Sequence, residues 1–114
     1  MKLINQCKNE LIQLNKLKNI KDRKKFVLNL KNCDIYAISE IASNCLLGNI
    51  PLNNCQFKNL KKYKNILRKI SNKKTALNLK KKIIIQKGGF LNILLPSVLS
   101  LLATYIGNKL SKNE

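Results

Sequence analysis

Histidine is absent from the chain, and only five of its 114 residues are acidic: Glu10, Asp22, Asp34, Glu40 and Glu114. With no imidazole and no pair of carboxylates spaced for general acid and base work, a catalytic constellation is not expected, and Cys33 or Cys55 as a nucleophile has no base to activate it. Arginine occurs only twice, which removes the usual bidentate reader of base edges, and few aromatic residues interleave with the basic ones to stack single-stranded bases. The four cysteines, Cys7, Cys33, Cys45 and Cys55, contain no C-x-x-C pair, so neither zinc nor any other cofactor is expected. Each cysteine falls where a helical pattern takes a small apolar residue, which predicts reduced core thiols in a cytosolic or nuclear protein. Residues 1–20 hold no continuous apolar core of the kind a secretory signal needs.

What is present is positive charge. Twenty-three Lys and Arg against five Asp and Glu give a net charge of +18. Such a chain repels itself when compact and calls for a polyanion, either nucleic acid or an anionic membrane. Twenty-one of the basic residues are Lys, and Asn and Ile are also abundant, as an AT-rich coding sequence would produce. That bias does not account for the missing acids, because residues 41–113 carry 14 positive charges and no negative one. Lys58, Lys61, Lys62, Arg68, Lys69, Lys73, Lys74, Lys80, Lys81, Lys82 and Lys87 are the candidate contacts to a phosphate backbone, with binding expected to be blind to sequence. A merely solvated lysine face is the plainer alternative. Tyr36, Tyr63, Phe26 and Phe57 are expected in the core rather than on a base platform.

The periodicity is helical throughout, and the chain is read as all-α: four to five short helices, a Gly-Gly hinge and an apolar C-terminal helix. Ile4, Cys7, Leu11 and Leu14, with Lys18 at the next place, predict one amphipathic helix over residues 3–20. Asp22 is the expected N-cap of a second helix reaching Leu30, with Phe26, Val27 and Leu30 inward. Residues 32–34 are expected to break it, and a third helix over residues 34–47 presents Ile38, Ile41, Ala42 and Cys45 before Gly48 closes it in the left-handed conformation. Pro51 holds Ile50 extended, and Asn53 is placed to cap a fourth helix over residues 54–71 carrying Phe57, Leu60, Tyr63 or Lys64, Leu67 and Ile70 inward. Thr75 is the expected start of a fifth, over residues 76–86. The β-branched Ile83-Ile84-Ile85 run also suits a strand, although no pairing partner is visible.

The sharpest change of character falls at Gly88-Gly89. Three units follow from it: a basic helical domain over residues 1–87, a hinge or processing site at 88–89, and an apolar helix with a short polar end over 90–114. Residues 90–107 are uncharged; as a helix they span about 27 Å, the short end of what crosses a bilayer. Ser97, Ser100, Thr104 and Asn108 form a narrow polar stripe, and Leu91, Leu94, Leu95, Val98, Leu101, Leu102 and Ile106 supply the apolar surface for membrane contact or self-association. An equally simple role for this helix is to cover an apolar face left open by a small core.

The stretch Gln86-Lys87-Gly88-Gly89-Phe90-Leu91-Asn92-Ile93-Leu94-Leu95-Pro96-Ser97-Val98-Leu99 resembles the C-terminal part of the adenovirus precursor of the small basic core peptide, the X or mu protein. There too a basic region meets Gly-Gly and then a Leu-, Ile- and Pro-containing tail. Asn32-Cys33-Asp34, Gly48-Asn49-Ile50-Pro51-Leu52 and Leu67-Arg68-Lys69-Ile70 look like proteins encoded by Polinton or Maverick elements and adintoviruses, a likeness that covers roughly residues 31–107. The resemblance implies a virion component, acting in the host nucleus, that condenses double-stranded DNA and is cut after Gly-Gly by a viral cysteine protease. The processing site would comprise Gly88, Gly89 and Phe90, with the cut before Phe90; Gln86 stands where that protease type prefers Met, Ile or Leu, and Lys replaces the adenoviral Arg. Three functions compete. One is a DNA-condensing core protein whose tail meets itself, capsid proteins or membrane, and another is a membrane-active protein whose lysines hold anionic lipid. The third, a cellular RNA- or ribosome-associated basic protein, explains the charge but leaves the apolar tail unexplained.

Overall fold

Asn32–Leu46 forms the central helix, and both of its ends are chemically specified. At its start the Asp34 carboxylate accepts from the Lys31 amide at 3.0 Å. At its end Gly48 adopts φ +78°, donating to the Cys45 carbonyl at 3.1 Å while the Asn49 amide donates to the Asn44 carbonyl at 2.9 Å. This is the paired closure of a Schellman motif, which only a residue free of a Cβ makes without strain. The computed structural model describes the backbone of residues 2–112 and the side chains of residues 3–102. In chain order the helices are α1 (Lys2–Gln6), α2 (Lys8–Lys16), α3 (Ile20–Leu28), α4 (Asn32–Leu46), α5 (Asn54–Leu60), α6 (Lys64–Ser71), α7 (Leu77–Lys87) and α8 (Leu91–Lys112), with 3-10 turns at Lys61–Tyr63 and Gly88–Phe90. Among the described residues there is no strand, and the Ile83-Ile84-Ile85 run is helical.

α4 packs against α1, α6, α7 and α8, while α2 lies on α8 and α3 on α7. Ile35, Ala37, Ile38, Ile41 and Ala42 of α4 are buried, and they share one core with Ile4, Leu11, Leu14, Leu67, Ile70 and Ile84. Phe90, Leu91, Leu94, Leu95, Val98 and Leu102 belong to that same core. The apolar segment beyond the glycines is therefore packed onto the basic helices, with Asn92, Pro96 and Ser100 on its solvent side.

Several boundaries differ from expectation. The helix predicted over residues 3–20 bends at Cys7 (φ −99°, ψ 18°) and ends at Lys16; its stripe Ile4, Cys7, Leu11 and Leu14 is buried, but Lys18 is exposed. Asn19, not Asp22, caps α3, its side chain accepting from the Lys21 amide at 2.8 Å. Residues 32–34 open α4 rather than break the chain, because Asp34 occupies the position from which a carboxylate reaches back to the Lys31 amide. Asn53 does cap α5, in a reciprocal pair with Gln56, yet the helix it starts tightens into a 3-10 turn at Lys61–Tyr63 before α6. Ala76, not Thr75, occupies the N-cap of α7.

Burial brings three further corrections. Phe57 is 58% exposed and Tyr36 50% exposed. On α4 the inward arc is filled by Ile35, Ile38, Ile41 and Ala42, which turns Tyr36 outward; the exposed Phe57 ring has the Lys61 ammonium over it, 5.4 Å from its centre. Of the four cysteines, all free thiols, Cys7 is buried and Cys45 half-buried, but Cys33 and Cys55 are exposed, so only part of the set is core.

Candidate nucleic-acid interface

α6 shows why the lysines face outward. Leu67 and Ile70 are buried at a spacing of three, which leaves Lys64, Arg68 and Lys69 on the solvent side. The same division holds along α5, the 3-10 turn at Lys61–Tyr63, and the connection from α6 to α7. Lys58, Lys61, Lys62, Arg68, Lys69, Lys73, Lys74, Lys82 and Lys87 are all exposed. Lys62 lies 5.8 Å over the ring of Tyr63. Among the described residues the carboxylates lie at or before residue 40, on α2, α3 and α4, so the α5 to α7 region is positive without internal compensation.

Two of the expected contacts are placed otherwise. Lys80 is 2% exposed; its ammonium donates to the Ser39 hydroxyl at 3.0 Å, and that hydroxyl donates to the Ile35 carbonyl at 3.0 Å. Burial lowers its pKa from the ordinary lysine value. Lys80 thus points into the α4–α7 contact and is not a phosphate ligand in this fold. Lys81 is half-buried and donates to the carbonyl of Leu28, the last residue of α3, at 3.3 Å, where the helix end carries partial negative charge.

A second basic spot lies outside the run that the sequence singles out. Arg23 and Lys24 of α3, with Lys18, line a cavity of about 280 Å³ whose other wall is Ile84, Gly88 and Gly89. The Arg23 Nε and Nη2 are buried without a hydrogen-bond partner, and burial lowers its pKa. Its sequence signal is the basic cluster between residues 16 and 25, where six of ten residues are Lys or Arg.

Gly88 and Gly89 sit in a 3-10 turn and are half-buried, and Phe90 is fully buried. A Cβ on Gly89 would stand 2.6 Å from the Tyr63 hydroxyl; the Tyr63 and Phe90 rings are 6.3 Å apart and tilted by 58°. Close approach, then, accounts for the second glycine. Leu91, Leu94, Leu95, Val98 and Leu102 are buried against the chain's own core and Leu101 is half-buried; Ile106, with Thr104 and Asn108, lies outside the described side chains.

Sequence spacing conceals one more group. The thiols of Cys7 and Cys33 and the carboxylate of Asp34 bring their ligand atoms within 4.8 Å of one another. The Cys7 thiol is pushed up to about 12, by burial first and then by Asp34 and Cys33 beside it. No protein-family model, curated protein or solved structure matches the chain.

Proposed function

We propose that the chain is a non-enzymatic, sequence-independent double-stranded DNA-binding and condensing protein of a viral core, acting in the virion and the host nucleus. The observation that carries this reading is the exposed lysine and arginine set of α5 to α7, in a stretch with no acidic residue from 41 to 113. Ammonium groups on a surface with no competing carboxylate neutralise phosphates and release counterions, which gives affinity without base readout. Processing after Gly89 by a viral cysteine protease belongs to the same proposal and rests on the resemblance of residues 86–99 to the adenoviral core-peptide precursor.

The test is affinity for random-sequence duplex DNA as a function of salt. A log-log slope of about −0.9 per phosphate contacted is expected, and replacing Lys58, Lys62, Lys69 and Lys73 together by Ala should reduce the slope by about one unit per lysine. A shallow slope that ignores these substitutions would overturn the reading. Surface substitutions serve better here than removal of the tail, because α8 residues form part of the core.

A second reading, a membrane-active protein, has one observation in its favour. The helical stretch Leu77–Leu102 is long and apolar enough, by length and composition, to cross a bilayer, and about a third of its most apolar window is buried in the globule. Partition of the full chain into zwitterionic vesicles at physiological salt would favour it; release by salt from anionic vesicles would leave only electrostatic adsorption.

A further inference from the structure

Cys7 lies at the join of α1 and α2, and Cys33 and Asp34 lie in the first turn of α4, so the chain brings three metal-ligating side chains together from two distant segments. Their ligand atoms all fall within 4.8 Å of one another. Around a tetrahedral ion with bonds of about 2.0–2.3 Å, donors stand roughly 3.3–3.8 Å apart, so side-chain adjustments of about 1 Å close the set. We propose that Cys7, Cys33 and Asp34 bind a divalent cation of the zinc class.

The donor chemistry selects the ion. Two thiolates and one carboxylate suit zinc and its cobalt substitute, whereas calcium and magnesium take oxygen shells. Two independent features fit a built site. The backbone at Cys7 leaves the helical region (φ −99°, ψ 18°), interrupting an otherwise continuous amphipathic helix at the ligand itself. One oxygen of Asp34 is held by the Lys31 amide at 3.0 Å, the kind of outer contact that orients a metal-bound carboxylate. Cys33 is exposed, which provides the entry path and leaves a fourth position to water. On binding, each thiol loses its proton to solvent and each sulfur lends an electron pair to the ion. The two protons released and the three anionic donors leave a site of charge −1 in a strongly basic protein. The ion ties the α1–α2 pair to the central helix.

The experiment is titration of the reduced full-length chain with Co²⁺, followed by near-ultraviolet absorption, with Zn²⁺ as competitor. One Co²⁺ per chain, a thiolate-to-cobalt charge-transfer band and its displacement by Zn²⁺ are expected. Cys33→Ser, at an exposed position and checked for native helicity by circular dichroism, should halve the band and weaken affinity by at least about tenfold. Asp34→Asn, which keeps an acceptor for the Lys31 amide, should keep the band but weaken affinity similarly. The Cys45→Ser, Cys55→Ser double variant should behave as the parent. A parent chain without the band, or a band unchanged in Cys33→Ser, overturns the proposal, as does a band lost in the double variant.

Discussion

Lys80 is the residue where composition misleads most, because its neighbours Lys81 and Lys82 share its charge but not its surroundings. A buried ammonium is penalised in the folded chain alone, so Lys80→Met is expected to stabilise the protein by about 1 kcal/mol at neutral pH, read from thermal melts. Ser39→Ala, which removes the acceptor and leaves the charge buried, should cost about 1.5–3 kcal/mol. The pH dependence has a definite sign: the unfolded chain holds the Lys80 proton more tightly, so this contribution raises stability as pH climbs from the lowered folded value to the ordinary one of about 10.4. The difference between parent and Lys80→Met should shrink across that window. DNA affinity should be unchanged in Lys80→Met and reduced in Lys82→Met. At the glycine pair the two positions separate. Gly89→Ala meets the Tyr63 hydroxyl and should cost about 1–3 kcal/mol in denaturant melts, whereas Gly88→Ala, whose nearest new neighbour is 3.9 Å away, should be neutral or stabilising by about 0.4–1 kcal/mol.

Among the elements, α4 and α8 show how far patterning carries. The apolar spacing of Ile38, Ile41 and Ala42 and the closing Gly48 were legible because a cap and a stripe are local chemistry. The start of α4 was not, since Asn32 and Asp34 read as breakers until Asp34 is seen reaching back to the Lys31 amide. Similarly, the bend at Cys7 has no local breaker; the stripe on either side of it is intact. For α8 the buried Leu91, Leu94, Leu95, Val98 and Leu102 were among the apolar positions named. Of the predicted polar stripe Ser100 is exposed and Ser97 half-buried, while Thr104 and Asn108 lie outside the described side chains; the partner of the apolar face was not in the pattern. Six of its described residues, counting Phe90 just before it, are fully buried in the shared core. At about 1.5–3 kcal/mol each, their loss amounts to on the order of 10 kcal/mol, comparable with the whole stability of a small domain. A chain ending at Gly89 is therefore expected to lose cooperative unfolding and much of its helicity by circular dichroism.

At the scale of the molecule, charge and core share helices only in part: α2, α3, α5, α6 and α7 carry buried apolar residues on one side and exposed lysines on another, whereas α4 has no lysine and the part of α8 with described side chains has none. The lysine set was legible because a run without acids needs no tertiary information. The thiol and carboxylate cluster and the Arg23 cavity were not, because both depend on which helices meet. The turn at Gly88–Phe90 carries a consequence for timing. The bond before Phe90 is helical, and its leaving side is anchored by a fully buried ring, so a protease meets it only when the segment opens. Cutting of the folded chain should be slow and should accelerate with mild denaturant, in proportion to the open population. On the proposed reading, a nick at this bond would leave two pieces held by one core, so cutting and separation would be successive events, the second awaiting removal of α8 from the bundle.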